Sequence, residues 1–251
     1  MQRTKYLQEI ELQLRVHPIC ALLSPRQVGK TTLAKMYVSQ KKVEDVHFFD
    51  LENPLDLARL ENPMFALSPL HELIVIDEIQ RRPELFPILR VLVDQDESNR
   101  QFLILGSASR DLIRQSSETL AGRIGYIELM PFSLEEAKKS DTLWIRGGFP
   151  RSYLASNEGD SYLWRQAYIT TFLERDIPNL GFQIPPQQIR RFWLMLAHYH
   201  GQIFNASELG RSLGVSDHSV RKYLDILVGT FMVRVLQPFT RMCNGFVQFV
   251  L

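Results

Sequence analysis

The stretch from Ile19 to Tyr37, ICALLSPRQVGKTTLAKMY, limits what this chain can fold into more than any other. Five apolar residues, Ile19 to Leu23, suit a buried parallel strand, Ser24 to Val28 suit a tight turn, and Leu33, Ala34 and Tyr37 recur at helical spacing. Strand, turn and helix in that order bring the backbone N–H groups of Gln27, Val28, Gly29, Lys30 and Thr31 to a helix N-terminus. There, unpaired donors and the helix dipole favour a phosphate, with Thr32 continuing the same turn. Gly29 lets the backbone approach closely, Lys30 can reach β- and γ-phosphates, and the Thr31 hydroxyl suits Mg²⁺. The order of residues matches the phosphate-binding pattern G-x-x-x-x-G-K-[ST] except at its first place, Ser24, which leaves a strand and has no evident need of a positive φ.

Leu73 to Gln80 supplies the complement. Leu73, Ile74, Val75 and Ile76 read as a fully buried strand, and Asp77 and Glu78 stand at its C-terminal edge, where open α/β sheets hold ligands. Asp77 is placed to hold Mg²⁺, directly or through water, and Glu78 to polarise an attacking water. Either acid alone is common at a solvated strand end, but the pair downstream of Gly-Lys-Thr-Thr reads as the second half of a nucleotide site.

Val46 to Leu51, Phe102 to Leu105 and Ile124 to Leu129 read as further strands, and Asn53-Pro54 as the end of the first of them before a looser segment. Residues 3–16 place Leu7, Ile10 and Leu14 on one helical face, and a helix opened by Pro83 does so with Leu85, Ile88, Leu89 and Leu92. The expected fold is α/β, a parallel sheet flanked by helices. If the strand ending in Gly106-Ser107-Ala108-Ser109 lies between the two motif strands, Ser107 can sense the γ-phosphate; it suits equally the capping of a helix at Asp111-Leu112-Ile113. Arg123 can meet phosphate charge in the transition state, within its own chain or from a neighbouring subunit, its plain alternative being a surface arginine.

Composition excludes some classes. A chain of 251 residues with 45% hydrophobic and 23% charged residues is ordinary for a globular protein of one large core or two domains. A net charge of +1 provides no global basic field, so nucleic-acid contact would need a local patch. Cys20 and Cys243 make neither a disulfide framework nor a metal spacing, which fits a reducing cytoplasm. No apolar run approaches the roughly 18 residues of a membrane helix.

Ser24 to Thr32, Asp77-Glu78-Ile79-Gln80, Gly106 to Ser109, Leu120-Ala121-Gly122-Arg123, Gly147-Gly148-Phe149-Pro150 and Leu173-Glu174-Arg175-Asp176-Ile177-Pro178 occur in this order. Over residues 15–236 the chain resembles the prokaryotic AAA-type P-loop ATPases whose usual C-terminal part is a domain of unknown function related in fold to restriction endonucleases. The resemblance implies an ATPase core over 1–150, a helical lid or linker over 151–184, and a winged helix-turn-helix over 185–251. The family normally has Gly at the place of Ser24. It also continues into the nuclease-like domain, which this chain, ending at Leu251, is expected to lack.

The C-terminal part has its own signals. Tyr162 to Phe172 reads as an aromatic-rich helix, either packing or a lid that brings Arg175 towards phosphate. Ile189 to Ala197, Ala206 to Leu213 and a helix capped by Ser216 have helix-turn-helix spacing, with Asn205 and Glu208 as a capping box. Phe231 to Leu236 and Phe246 to Leu251 can pair as a wing, with Asn244-Gly245 as a turn. The third helix offers His218, Arg221 and Lys222 to duplex DNA, although such modules also serve as packing or subunit contacts. The sequence reads as an Mg²⁺-dependent ATPase with Glu78, Lys30 and Arg123 as catalytic residues. The alternative is a nucleotide switch or DNA-binding regulator without turnover.

Overall fold

The computed structural model describes residues 3–41, 46–95, 100–107, 116–236 and the backbone of 246–249. It divides into two compact units, Met1–Met130 and Pro131–Leu251. The division falls at Met130, not near Pro150. The expected features at Ala108, Ser109, 111–113, Cys243, Asn244-Gly245, Val250 and Leu251 lie outside the described residues.

The first unit is a five-stranded sheet of β1 (Ile19–Ser24), β2 (Val46–Asp50), β3 (Leu73–Asp77), β4 (Gln101–Ser107) and β5 (Ile124–Glu128). The strands are parallel throughout, in the order β2-β3-β4-β1-β5. β1 and β3 are buried at every residue, and β4 at all but its two ends, while the edge strands β2 and β5 mix buried and half-buried positions and β5 ends on the exposed Glu128. Helices on both faces explain why the inner strands are unbroken aliphatic runs. The helices of this unit include α1 (Thr4–Val16), α2 (Lys30–Gln40), α3 (Pro54–Arg59), α4 (Pro63–Leu67) and α5 (Leu85–Asp94). α1 buries Leu7, Ile10 and Leu14 as its periodicity predicts, and Gln101 Nε2 donates to the Leu14 carbonyl near its end at 2.7 Å. At Gly125 of β5 the Gln13 side chain of α1 packs against the strand, since a Cβ there would lie 2.0 Å from Gln13 Oε1.

The segment after Asn53 is ordered into α3 and α4, where the sequence suggested a looser run. Asn53 and Asn62 each accept a backbone N–H of the following turn, and Pro54 and Pro63 each occupy a first helical position. Asn-Pro therefore starts a helix here rather than only ending a strand.

The second unit is helical: α6 (Ser140–Arg146), α7 (Pro150–Tyr153), α8 (Glu158–Thr171), a π-helical segment (Phe172–Asp176), α9 (Ile177–Asn179), α10 (Pro186–His198), α11 (Ala206–Leu213) and α12 (Asp217–Gly229). A chain of ring contacts runs from Phe149 through Trp164, Tyr168 and Phe172 to Trp193, so the aromatic character of α8 is used in packing. Asn205 and Ser216 cap α11 and α12 by accepting the N–H of Glu208 and Ser219. β6 (Val233–Leu236) pairs antiparallel with β7 (Phe246–Phe249), Val233 opposite Phe249. Among the described residues no helix is long and apolar enough to cross a membrane.

Candidate functional site

Strand order brings the site together. β4 lies between β1 and β3, so the C-terminal edge of the sheet carries Ser24, Ser107 and Asp77 on three neighbouring strands, with Ser24 opposite Ser107 in register. The turn after β1 ends in α2, whose N-cap, Gly29, has φ +94° and no side chain to satisfy the helix's first N–H groups. The donors of Lys30, Thr31 and Thr32 are those that a helix leaves without an intrahelical partner. Gln27 also sits in the left-handed region, at φ 63°. Nothing in the sequence marks this conformation, which usually selects Gly or Asn.

Lys30 is 6% exposed. Its Nζ donates to Ser24 Oγ at 3.1 Å and to the Pro25 carbonyl at 3.4 Å, with no carboxylate partner among the described residues. Burial pushes its pKa below the ordinary lysine value, against the pull of Glu78 and Asp77. Ser24, the departure from the motif, thus supplies a neutral acceptor to the ammonium. Thr31 Oγ1 donates to Asp77 Oδ2 at 2.6 Å. Asp77 is 3% exposed, and its carboxyl is raised by burial more than the Thr31 hydrogen bond lowers it. Both charged side chains are therefore held out of water without a direct ion pair.

The donor set fits Mg²⁺. A hydroxyl and a carboxylate in contact are hard oxygen ligands, and among the described residues no cluster of three or more His, Cys, Asp or Glu side chains forms an all-protein cage. Mg²⁺ is commonly held that way, by few protein oxygens together with water and phosphate.

Glu78 follows Asp77 in the left-handed region, φ 57° and ψ 42°, and the chain then makes a single 3₁₀ turn, Ile79–Arg81. Gln80 Nε2 donates to Glu78 Oε2, and the Ser107 N–H donates to Gln80 Oε1 at 3.1 Å. Ser107 Oγ is buried with no partner among the described residues. Around this edge Glu52 receives Arg81 at 3.1 Å and approaches Arg26 at 3.9 Å. Gln80, Glu52, Arg26 and Arg81 had no assigned role from sequence; the spacing of Gln80 from Glu78 was visible, but the turn that folds it back was not.

Arg123 is not part of this group. Its carbonyl accepts from the N–H of Ile19, the first residue of β1, while the phosphate-binding turn follows the last. Five residues of strand separate the two ends by about 17 Å. The Arg123 guanidinium instead grips both oxygens of Asp94 at the end of α5, 2.5 and 2.9 Å away, and holds that carboxyl below its ordinary value. The expectation that Arg123 meets phosphate within its own chain is corrected accordingly. Arg175 lies in the second unit, exposed, next to a Glu174 that pairs with Arg190 at 3.2 Å. Arg221 and Lys222 are exposed on α12.

Comparisons with known proteins agree with this architecture. Residues 16–138 match the model of an AAA domain, and residues 137–246 match a domain of unknown function (DUF8612). Over 223 residues the chain is 52% identical to the uncharacterized protein Mb2031c of Mycobacterium bovis and to the uncharacterized protein Rv2008c of Mycobacterium tuberculosis. The match covers 88% of this chain and 50% of each relative, so the chain spans about half the length of the curated relatives it matches. Among solved structures, the Walker-type ATPase PABY2304 of Pyrococcus abyssi superposes with a TM-score of 0.67 at 13% identity, covering 99% of this chain and 93% of that one. At that identity the likeness concerns the fold alone, and the fold is that of a P-loop NTPase. Residues 16–138 thus match an AAA domain, in a chain with the fold of a P-loop NTPase.

Proposed function

We propose that this protein binds ATP with Mg²⁺ and hydrolyses it to ADP and phosphate. The observation that carries the reading is the buried Lys30 ammonium, held at a helix N-terminus by two neutral oxygens beside the Thr31–Asp77 pair. A buried charge without a counter-ion is costly, and a polyphosphate at the helix N-terminus offsets that cost. In this reading Lys30 binds the β- and γ-phosphates, Gln27 to Thr32 enclose them with backbone donors, and Thr31 and Asp77 hold Mg²⁺. Bound Mg²⁺ supplies charge neutralisation on the phosphate oxygens. Glu78 orients the attacking water and takes its proton, and Ser107, whose buried hydroxyl has no partner among the described residues, senses the γ-phosphate. Arg123 is left with the role it can fill only across a subunit boundary, at a neighbour's phosphate in a homo-oligomer.

The segment 151–184 is read as a lid or linker and 185–251 as a winged helix-turn-helix. Duplex DNA contact through α12 is a second reading, favoured by the exposed Arg221 and Lys222, neither of which has a side-chain partner among the described residues. Phosphate release, measured with and without Mg²⁺ and duplex DNA, tests both readings. Mg²⁺-dependent release is expected, and stimulation by DNA is the sign of the second reading. ATP binding with no release under any of these conditions overturns the hydrolytic reading in favour of a nucleotide switch.

A further inference from the structure

The side chain of Gln80 spans two parts of the site that the sequence keeps apart. Glu78 closes β3 in a left-handed conformation, and buried Ile79 anchors the short turn that follows. That turn sends the Gln80 side chain back to the sheet edge. One end of its amide meets the Glu78 carboxylate, and the other meets the backbone N–H of Ser107 at the tip of β4, 27 residues on. The orientation of the amide follows from chemistry. A backbone N–H can only donate, so it faces Oε1, and a carboxylate can only accept, so it faces Nε2. Neither partner tolerates the flipped amide.

We infer that Gln80 is the positioning residue for Glu78, fixing its carboxylate against the tip of the central strand β4. The assignment rests on the reading of Glu78 as the base in ATP hydrolysis. A glutamate side chain has three rotatable bonds, and a base acts only from hydrogen-bonding reach of the water it deprotonates. The Gln80 amide restricts that freedom and ties it to the backbone N–H of Ser107, whose own hydroxyl is buried and has no partner among the described residues. Base and strand tip thereby form one hydrogen-bonded unit. Gln80 itself contacts no phosphate ligand in this scheme, so it affects the rate through Glu78 and leaves nucleotide affinity alone.

The test uses the full chain with Gln80→Met and Gln80→Glu. Methionine keeps the length and unbranched shape and removes both hydrogen bonds. For Gln80→Met, kcat should fall about ten- to hundredfold, within the contribution of a general base, while KM and ATP affinity stay within about twofold. Gln80→Glu keeps an acceptor for Ser107 N–H but sets a carboxylate against Glu78, so it should lose rate as well. In a Glu78→Gln background, Gln80→Met should cost no more than about twofold further, because the two residues act as a unit. An unchanged kcat in either single variant, an equal loss of ATP affinity and rate, or a full additive loss in the double variant overturns the assignment while leaving the hydrolytic reading intact. Absence of turnover in the wild type overturns both, which separates the two failures. Melting temperature and ATP binding of each variant show that a lost rate is not lost folding.

Discussion

Lys30 and Asp77 are buried charged groups whose pKa values move in the directions that disfavour their ions, Lys30 downwards and Asp77 upwards. A site built this way trades folding stability for ligand binding. Lys30→Ala should cost about 1.5–3 kcal/mol of ATP binding, a ten- to hundredfold loss of affinity measurable by titration with a fluorescent nucleotide. Asp77→Asn should raise the melting temperature in the absence of nucleotide and Mg²⁺, by about 2–4 °C per kcal/mol relieved. The sign of the pH dependence follows from the raised carboxyl. The native state holds this proton to higher pH than the unfolded chain, so the group's stabilisation is complete below its ordinary value of 3.8 and is lost as pH rises through the folded value. The gain from Asp77→Asn should therefore be larger at about pH 8 than at about pH 5; a scan showing the reverse contradicts the burial argument. These residues were legible because phosphate and Mg²⁺ chemistry restricts residue type and spacing. Gln80 was not, because its place depends on the left-handed Glu78 and on a strand partner distant in sequence.

Elements were legible where one period persists. The aliphatic runs of β1, β3 and β4, the stripe of α1 and the caps of α11 and α12 all appear at their expected places. The Pro83 helix begins later, at Leu85, and buries Phe86 while Ile88 is only half-buried. The position of β4 between β1 and β3 was only a condition in the sequence, since strand order is set by long-range packing. Two predictions belong to the elements of the second unit. If α12 docks on duplex DNA, replacing Arg221 and Lys222 together by Ala lowers affinity and makes the slope of log K against log salt shallower by about one unit per lost phosphate contact. A wild type that shows no duplex binding in a gel shift at low salt makes α12 a packing element. The pairing of β6 with β7 has its own consequence, because an unpaired edge is left when one strand is removed. Deleting 246–251 should lower the melting temperature and preserve nucleotide binding; unchanged melting would show that the pairing contributes nothing.

The structure divides into two units of similar size, and the proposed nucleotide site lies in the first. The match to an AAA domain ends at residue 138, and residues 137–246 match a domain of unknown function, so the sequence is far less informative about the second unit than about the first. Physics explains that asymmetry. Phosphate and metal demand particular atoms, whereas a helical module presenting Arg221 and Lys222 is compatible with DNA, with a protein partner or with another copy of itself. The most direct test of the account is single-turnover hydrolysis of Mg²⁺-ATP by Glu78→Gln beside the wild type, with binding measured on the same samples. The account predicts wild-type affinity in the variant and a rate reduced about 10²- to 10⁴-fold. Equal rates in the two proteins would remove Glu78 from the mechanism and contradict it.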